Sequence, residues 1–212
     1  MESTLRHVAV LPLAYLLGAF PTGYLVVYAF RRIDVRRIGS GRTGGTNVLR
    51  SAGPVPAILT VLGDGLKGGL AVLLARALAG TPLALALAGV AAILGHNHSV
   101  FLGWRGGAGT IISIGIALFI NPIVGAVAIV AGSVCLAVSR YASLASILVA
   151  LVLPLSFAAG ARWWGLPHEY WQYSALGGLI SLVELRPNIC RLLAGTERKV
   201  GQSIKLTSSA SR

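Results

Sequence analysis

The chain has 212 residues, is 55% hydrophobic and only 11% charged, and carries 18 Lys and Arg against 6 Asp and Glu. A soluble domain of this length has about a quarter charged residues, so a soluble globular domain is excluded, and long unbroken apolar runs exclude a transmembrane barrel, which shows short alternating segments. The net charge of +12 fits basic loops on the cytoplasmic side of a membrane, facing anionic lipids, rather than a nucleic-acid partner.

The first apolar run, HVAVLPLAYLLGAFPTGYLVVYAF, exceeds the ~20 residues that cross a bilayer. It lacks a basic n-region and runs past signal-peptide length, so it reads as a retained span over 7–30. A polar, glycine-rich segment follows, GSGRTGGTNVLR from Gly39 to Arg50. The second span covers 54–79 and contains GDGLKGG, which puts Asp64 and Lys67 at i and i+3 on one helix face. The third covers 82–97 and runs into a second polar segment, LGHNHSVFLGWRGGAGT, Leu94 to Thr110. Spans over 109–120, 122–139, 142–160 and 170–185 come next, and a third polar segment, RPNICRLLAGTERK, Arg186 to Lys199, follows the last. Some spans are short and several contain Gly or Pro, the pattern of half-helices or loops held at membrane depth by protein rather than lipid. The expected fold is all-α: a polytopic transmembrane bundle of about seven spans, one integral membrane domain over 1–212 without internal repeats. Cys135 and Cys190 lie far apart, without metal-ligand spacing, and read as free thiols.

Charge sets the expected orientation. Seven spans place Arg31, Arg32, Arg36, Arg37, Arg42, Arg50, Arg105, Arg140, Arg186, Arg191, Arg198, Lys199, Lys205 and Arg212 on one face, and leave Arg6, Arg76 and Arg162 near the other. The positive-inside rule then puts the amino terminus outside and the carboxyl terminus in the cytoplasm. All three polar segments share the cytoplasmic face, so they read as parts of one site.

Their residue types suit an anion. Gly-rich runs with Ser and Thr let backbone N–H groups and hydroxyls converge on negative charge, and a helix amino terminus adds a favourable dipole. RGGAGT leads straight into an apolar run, so Gly106, Gly107 and Gly109 are candidates for such a cradle, with Thr110 beside them. Arg42, Arg50 and Arg105 offer charge-assisted phosphate contacts. The same glycines also suit close helix packing. Neither Gly segment ends in the Gly-Lys-Ser/Thr of a nucleotide P-loop. Asp64 and Lys67 are intramembrane charges, which pair and often mark function; a packing ion pair and a site-orienting pair both remain open. His96 and His98, without a nearby acid in sequence, are a weak metal signal, and polar contacts at the membrane surface explain them as well. The His-x4-Asp pattern of soluble-type glycerolipid acyltransferases is absent, since Phe101 follows His96 by five and Gly103 follows His98 by five. His7 and His168 fall near the external face. Asn188, Arg191 and Glu197 follow the last span on what reads as an interfacial helix with a basic tail.

Taken together, GSGRTGGTNVLR, DGLKGG, LGH…VFLGWRGGAGT, SRYASLAS and NICRLLAGTERKVG, in order from residue 39 to residue 201, resemble the bacterial acyl-phosphate:glycerol-3-phosphate acyltransferases, the PlsY family. The resemblance implies seven spans, an external amino terminus and a cytoplasmic active site. It implies transfer of an acyl group from acyl phosphate to the 1-hydroxyl of glycerol 3-phosphate, giving lysophosphatidic acid and phosphate, with no metal or other cofactor. The implied partners are acyl phosphate, glycerol 3-phosphate and membrane lipids. Carried onto this sequence, the motifs point to Ser40, Arg50 and Asn188 for positioning and transition-state stabilisation. They point to Arg42, Thr46, Asn47, Asp64, Lys67, His96, Arg105, Gly106, Gly107, Gly109, Thr110, Arg191 and Glu197 for substrate binding.

Four departures stand out. Arg42 replaces the Asn of the first motif, Arg105 and Ala108 replace the two Lys of the second, and Leu185 stands where the family carries a His three residues before Asn188. Arg42 is placed to restore the lost charge. A transporter for a small organic anion, built on discontinuous spans, and an inactive homologue are the competing readings. The near absence of polar residues on the external side speaks against the transporter.

Overall fold

The computed structural model describes residues 2–202, which are helix and connecting loop throughout. Lys205 and Arg212, counted above with the basic tail, lie outside the described residues. In chain order the helices are α1 (Glu2–Ala19), α2 (Thr22–Arg31), α3 (Gly45–Ala52), α4 (Pro54–Leu78), α5 (Pro82–Asn97), α6 (Thr110–Ile120), α7 (Pro122–Ser139), α8 (Ala142–Trp164), α9 (His168–Glu184) and α10 (Arg186–Leu193). Short 3-10 turns cover Val35–Arg37 and Val100–Leu102.

Among the described residues, five stretches are long and apolar enough to cross a membrane: Leu5–Arg31, Pro54–Leu78, Pro82–Leu102, Pro122–Ser139 and Ala142–Trp164. The expected first span is broken into α1 and α2. Pro21 has no N–H to donate and disfavours helical backbone at Phe20, and the Phe20 carbonyl at the break accepts from the Thr22 amide at 3.0 Å and from Lys67 Nζ at 2.9 Å. Helix α6 has only 11 residues, so at 1.5 Å per residue it covers roughly half of the ~30 Å hydrocarbon core. It ends at Asn121, whose side chain caps α7 by accepting from the Ile123 and Val124 amides, so the two helices share one residue as their turn. The expected 170–185 span is α9, which has 17 residues and starts two residues earlier, at His168. Helix α3 was not foreseen. It forms inside the first polar segment because Val48 and Ala52, one turn apart, are buried on one face of it, and Gly53 ends it at φ 96°.

Helix α5 is central: 67% of its most apolar window is buried inside the protein, against 17% for α7. Its small residues make this possible. A Cβ on Gly95 would lie 2.1 Å from the Tyr15 carbonyl oxygen, and one on Gly18 would lie 2.0 Å from that of Ala92, so α1 and α5 meet backbone to backbone. The same close approach joins α4 to α6, where a Cβ on Gly115 would meet the Gly65 carbonyl oxygen at 2.1 Å. The main core runs from Val10 and Ala14 through Ile93, Ile112 and Ile116 to Phe157 and Tyr173. A second, smaller cluster of Val27, Val35, Val48, Ala52 and Ala57 supports the polar end of the bundle.

Candidate active site

The three polar segments meet at one end of the bundle. The first is ordered by Asn47, which is buried. Its side-chain N–H groups are shared among the carbonyls of Val35, Ile38 and Arg42 at 3.1, 2.9 and 2.8 Å, and its Oδ1 accepts from the Ser40 amide at 3.1 Å. Asn47 therefore shapes the loop and has no donor left for a ligand. The second segment is tied to the first by the Thr43 amide, which donates to the Gly106 carbonyl at 3.2 Å, and by Arg36 Nη1, which donates to the Leu102 carbonyl at 2.8 Å. It is tied to α1 by Ser99 Oγ, which donates to the Ala19 carbonyl at 2.6 Å.

The third segment closes the end through Glu197. Its Oε1 accepts from Ser143 Oγ at 2.9 Å and from Asn188 Nδ2 at 2.8 Å, and its Oε2 pairs with Arg191 Nε at 2.7 Å. Burial alone pushes this carboxyl up. The bonds from Asn188, Arg191 and Ser143 outweigh it and hold the pKa below the usual carboxylate range. Asn188 Oδ1 in turn accepts from Arg42 Nη1 at 2.8 Å. The Asn188 amide has one orientation, because a guanidinium only donates and a carboxylate only accepts. The other arm of Arg42 donates to the Glu184 carbonyl, so this side chain bridges the first segment and the α9–α10 junction.

Between these walls lies an open cavity of about 110 Å³. The first segment and α3 contribute Ser40, Arg42, Gly44, Gly45, Thr46, Asn47 and Arg50, and the amino terminus of α6 contributes Ala108, Gly109, Thr110 and Ile111. Helix α8 contributes Ala142, Ser143 and Ser146, the carboxyl-terminal segments contribute Leu185, Asn188 and Glu197, and Asp64 and His96 complete the lining. Three residues of this lining each carry a buried side-chain atom without a hydrogen-bond partner: Arg50 Nε, Thr110 Oγ1 and Asp64 Oδ1. Desolvation is the largest influence on Arg42 and Arg50 and lowers both from the ordinary guanidinium value; both remain cations at neutral pH. The cavity thus offers two cations, an unpaired N–H and hydroxyl, and the amino terminus of α6, a set suited to an anion.

Not every expected residue reaches it. Arg105 is exposed and lies outside the cavity lining, because the turn at Gly103 and Trp104, both at positive φ, leads it away. Gly106 and Gly107 serve packing: a Cβ on Gly107 would lie 2.0 Å from His96 Nε2, and one on Gly106 would lie 2.0 Å from the His96 carbonyl oxygen. Only Gly109, at φ 86° before α6, stays on the lining. Lys67 is buried against Asp64 Oδ1 at 2.9 Å, an ion pair without hydrogen-bond alignment, and caps the α1–α2 break instead of facing the cavity. Arg191 acts through Glu197. The two histidines part: His96 Nδ1 is 3.7 Å from Asp64 Oδ1, whereas His98 Nε2 pairs with Glu184 at 3.1 Å. Ser143 and Ser146 were missed as site residues, although SRYASLAS shows their signal: hydroxyls at the start of an apolar helix.

The comparisons agree with this geometry. The family model described as glycerol-3-phosphate acyltransferase matches residues 8–195. Glycerol-3-phosphate acyltransferase 1 of Deinococcus radiodurans is 42% identical over 203 residues, covering 95% of this chain and 99% of the relative. The glycerol-3-phosphate acyltransferase of Gloeobacter violaceus is 45% identical over 193 residues, covering 89% and 92%. The crystal structure of PlsY, an integral membrane glycerol 3-phosphate acyltransferase, in its glycerol 3-phosphate form superposes with a TM-score of 0.84 at 30% identity over 92% of this chain and 96% of that one. The match over nearly the whole length, with every cavity residue but Glu197 inside residues 8–195, makes this chain a multi-pass integral membrane protein that belongs to the glycerol-3-phosphate acyltransferase family.

Proposed function

We propose that the chain transfers a fatty acyl group from acyl phosphate to the 1-hydroxyl of glycerol 3-phosphate, releasing 1-acyl-glycerol 3-phosphate (lysophosphatidic acid) and inorganic phosphate. The observation that carries this reading is the pair of buried, unpartnered donors, Arg50 Nε and Thr110 Oγ1, on a cavity that also holds Arg42 and the α6 amino terminus. Unpaired buried donors are costly, and a phosphate would satisfy them. The solved PlsY structures in glycerol 3-phosphate and lysophosphatidic acid forms support the same acceptor and product.

An acyl phosphate arrives activated, so the chain needs to position and to stabilise charge. The 1-hydroxyl oxygen attacks the acyl carbonyl carbon, the bond from that carbon to the phosphate oxygen breaks, and the electron pair leaves with phosphate. The hydroxyl proton ends on a phosphate oxygen. Glu197 is a poor base for it, because three donors hold its carboxylate ionised. Ser40, Arg50 and Asn188 position the reactants, while Arg42, Thr110 and the α6 amino terminus face the charge that grows on the oxygens. Asp64 and His96 form the floor. The acyl chain lies between spans, in contact with lipid. The charge asymmetry supports seven spans, with α6 and α9 joining the five longer ones, an external amino terminus and a cytoplasmic site.

Purified protein with acyl phosphate and labelled glycerol 3-phosphate tests the reading. Lysophosphatidic acid should form with one phosphate released for each. Product from acyl-CoA but none from acyl phosphate overturns the donor. Silence with both favours an inactive homologue, the reading that Ala108 and Leu185 on the lining favour.

A further inference from the structure

We infer that Arg140 is a positioning residue for the acyl transfer: by exchanging hydrogen bonds with Val200 it straps the segment after α10 across the site, and so sets where Arg50 and Asn188 stand. The inference rests on the reaction proposed above. Arg140 ends α7 at φ 62° and is not among the residues that line the cavity. Its carbonyl accepts from the Val200 amide at 2.8 Å, and its Nη2 donates to the Val200 carbonyl at 3.1 Å. The neighbouring residues repeat the attachment, with Lys199 Nζ 5.4 Å from the centre of the Tyr141 ring. Immediately before this clamp, the Arg198 carbonyl accepts from Arg50 Nη2 at 3.2 Å. One residue earlier, Glu197 receives Asn188 and Ser143. Arg50 and Asn188 thus each take a contact from one of two consecutive strap residues, Arg198 and Glu197, next to the clamp at Lys199 and Val200.

The other end of the strap is already fixed, because the Thr196 and Glu197 amides both donate to the Arg191 carbonyl, at 2.8 and 3.1 Å. Releasing the Arg140 end leaves Glu197 attached to α10 but frees the Arg198 carbonyl, so Arg50 loses its partner first. The effect should therefore fall on glycerol 3-phosphate binding before it falls on the melting temperature.

Two variants open the clamp from opposite sides. Arg140→Asn removes the guanidinium and keeps a residue type that tolerates positive φ. Gly201→Ala places a Cβ 3.1 Å from Arg140 Nη2 at a φ of +88°. In the purified full-length protein each should raise KM for glycerol 3-phosphate about tenfold, since small misplacements of positioning groups have effects of that order or more. In Arg140→Asn the melting temperature should change by less than about 2 °C. The double variant should be no worse than the worse single one, as expected for two changes to one contact, and Arg140→Lys should recover part of the loss. Tryptic cleavage after Arg198 or Lys199 should be faster in Arg140→Asn by about fivefold or more, because cleavage follows local opening. An unchanged KM, effects that multiply in the double variant, or unaltered cleavage would each overturn the inference. If the wild type transfers no acyl group, the proposed reaction fails separately, and the cleavage rates still decide whether Arg140 holds the strap.

Discussion

Replacing Glu197 with Gln tests the order of the site most directly. The side chain is 7% exposed and accepts three hydrogen bonds, from Ser143, Asn188 and Arg191 at 2.9, 2.8 and 2.7 Å. In the variant an amide oxygen still receives Ser143 and Asn188, but as neutral bonds rather than charge-assisted ones. The amide NH2 then faces Arg191 Nε, donor against donor, and turning the amide over only moves that conflict to Asn188. Hydrogen bonds to charged groups contribute about 1.5–3 kcal/mol and neutral ones about 0.5–1.5 kcal/mol. Arg191 is 37% exposed and recovers part of its loss from water, which leaves a net cost of about 2–3 kcal/mol. If that cost appears in how Asn188 is presented, kcat/KM for glycerol 3-phosphate falls about 30- to 160-fold at about 1.36 kcal/mol per decade. Initial rates on purified protein measure it. A variant within about threefold of wild type, a change worth less than 1 kcal/mol, would refute the claim that Glu197 orients Asn188.

The same carboxylate sets a pH dependence. Its folded pKa is depressed, so its stabilisation is complete above the unfolded value and is lost as pH falls through the folded one; the melting-temperature gap between wild type and Glu197→Gln should hold at neutral pH and close only below pH 4.5. Arg42→Asn leaves Asn188 Oδ1 and the Glu184 carbonyl without their guanidinium and should lower kcat/KM about ten- to hundredfold, in line with the loss of a charge-assisted contact. Ala108→Lys, on the opposite wall, should restore part of that loss, and strictly additive effects in the double variant would exclude compensation. For sidedness, the exposed native Cys190 should resist an impermeant thiol reagent in whole cells and react after permeabilisation, while a cysteine replacing His168 in a background without Cys135 and Cys190 should react from outside. Labelling of Cys190 in intact cells would invert the orientation.

Much of the fold was legible because apolar run length and Pro or Gly punctuation are local properties. Pro54, Pro82 and Pro122 each open a helix where the spans were expected to begin. Helix α3 was not legible. Glycine-rich sequence has poor intrinsic helix propensity, and tertiary burial of Val48 and Ala52 overrides it. The convergence of three polar segments was readable from charge, but their internal division of labour was not. Asn47, Gly106 and Gly107 look like ligand groups in sequence, and the structure turns them to loop order and packing. What decided this was the identity of neighbours far away in sequence: Val35 for Asn47, His96 for both glycines. Arg105 failed for a related reason, since the direction of one turn at Gly103 and Trp104 decides whether its guanidinium enters the cavity.

The departures of this chain are spatially connected. Leu185, where the family resemblance implies a His, is buried at 3% exposure, and it is the residue shared by the end of α9 and the start of α10. Arg42, where the resemblance implies an Asn, sends its guanidinium to the carbonyl of Glu184, next to Leu185, and to Asn188, three residues beyond it. The N–H donor that the resemblance implies at the helix junction is thus replaced by a cation reaching over from the glycine-rich loop. A short Asn at position 42 has no such reach, and a His at 185 would compete with the guanidinium for the same corner. The two substitutions therefore make sense as a pair: Leu185 fills the junction with apolar volume, and Arg42 brings a donor that stays charged at any pH the membrane meets. On this view, restoring His at Leu185 alone would crowd two donors onto one side of Asn188 and lower activity. Restoring it together with Arg42→Asn would recover activity, and a gain from Leu185→His alone would sink the pairing.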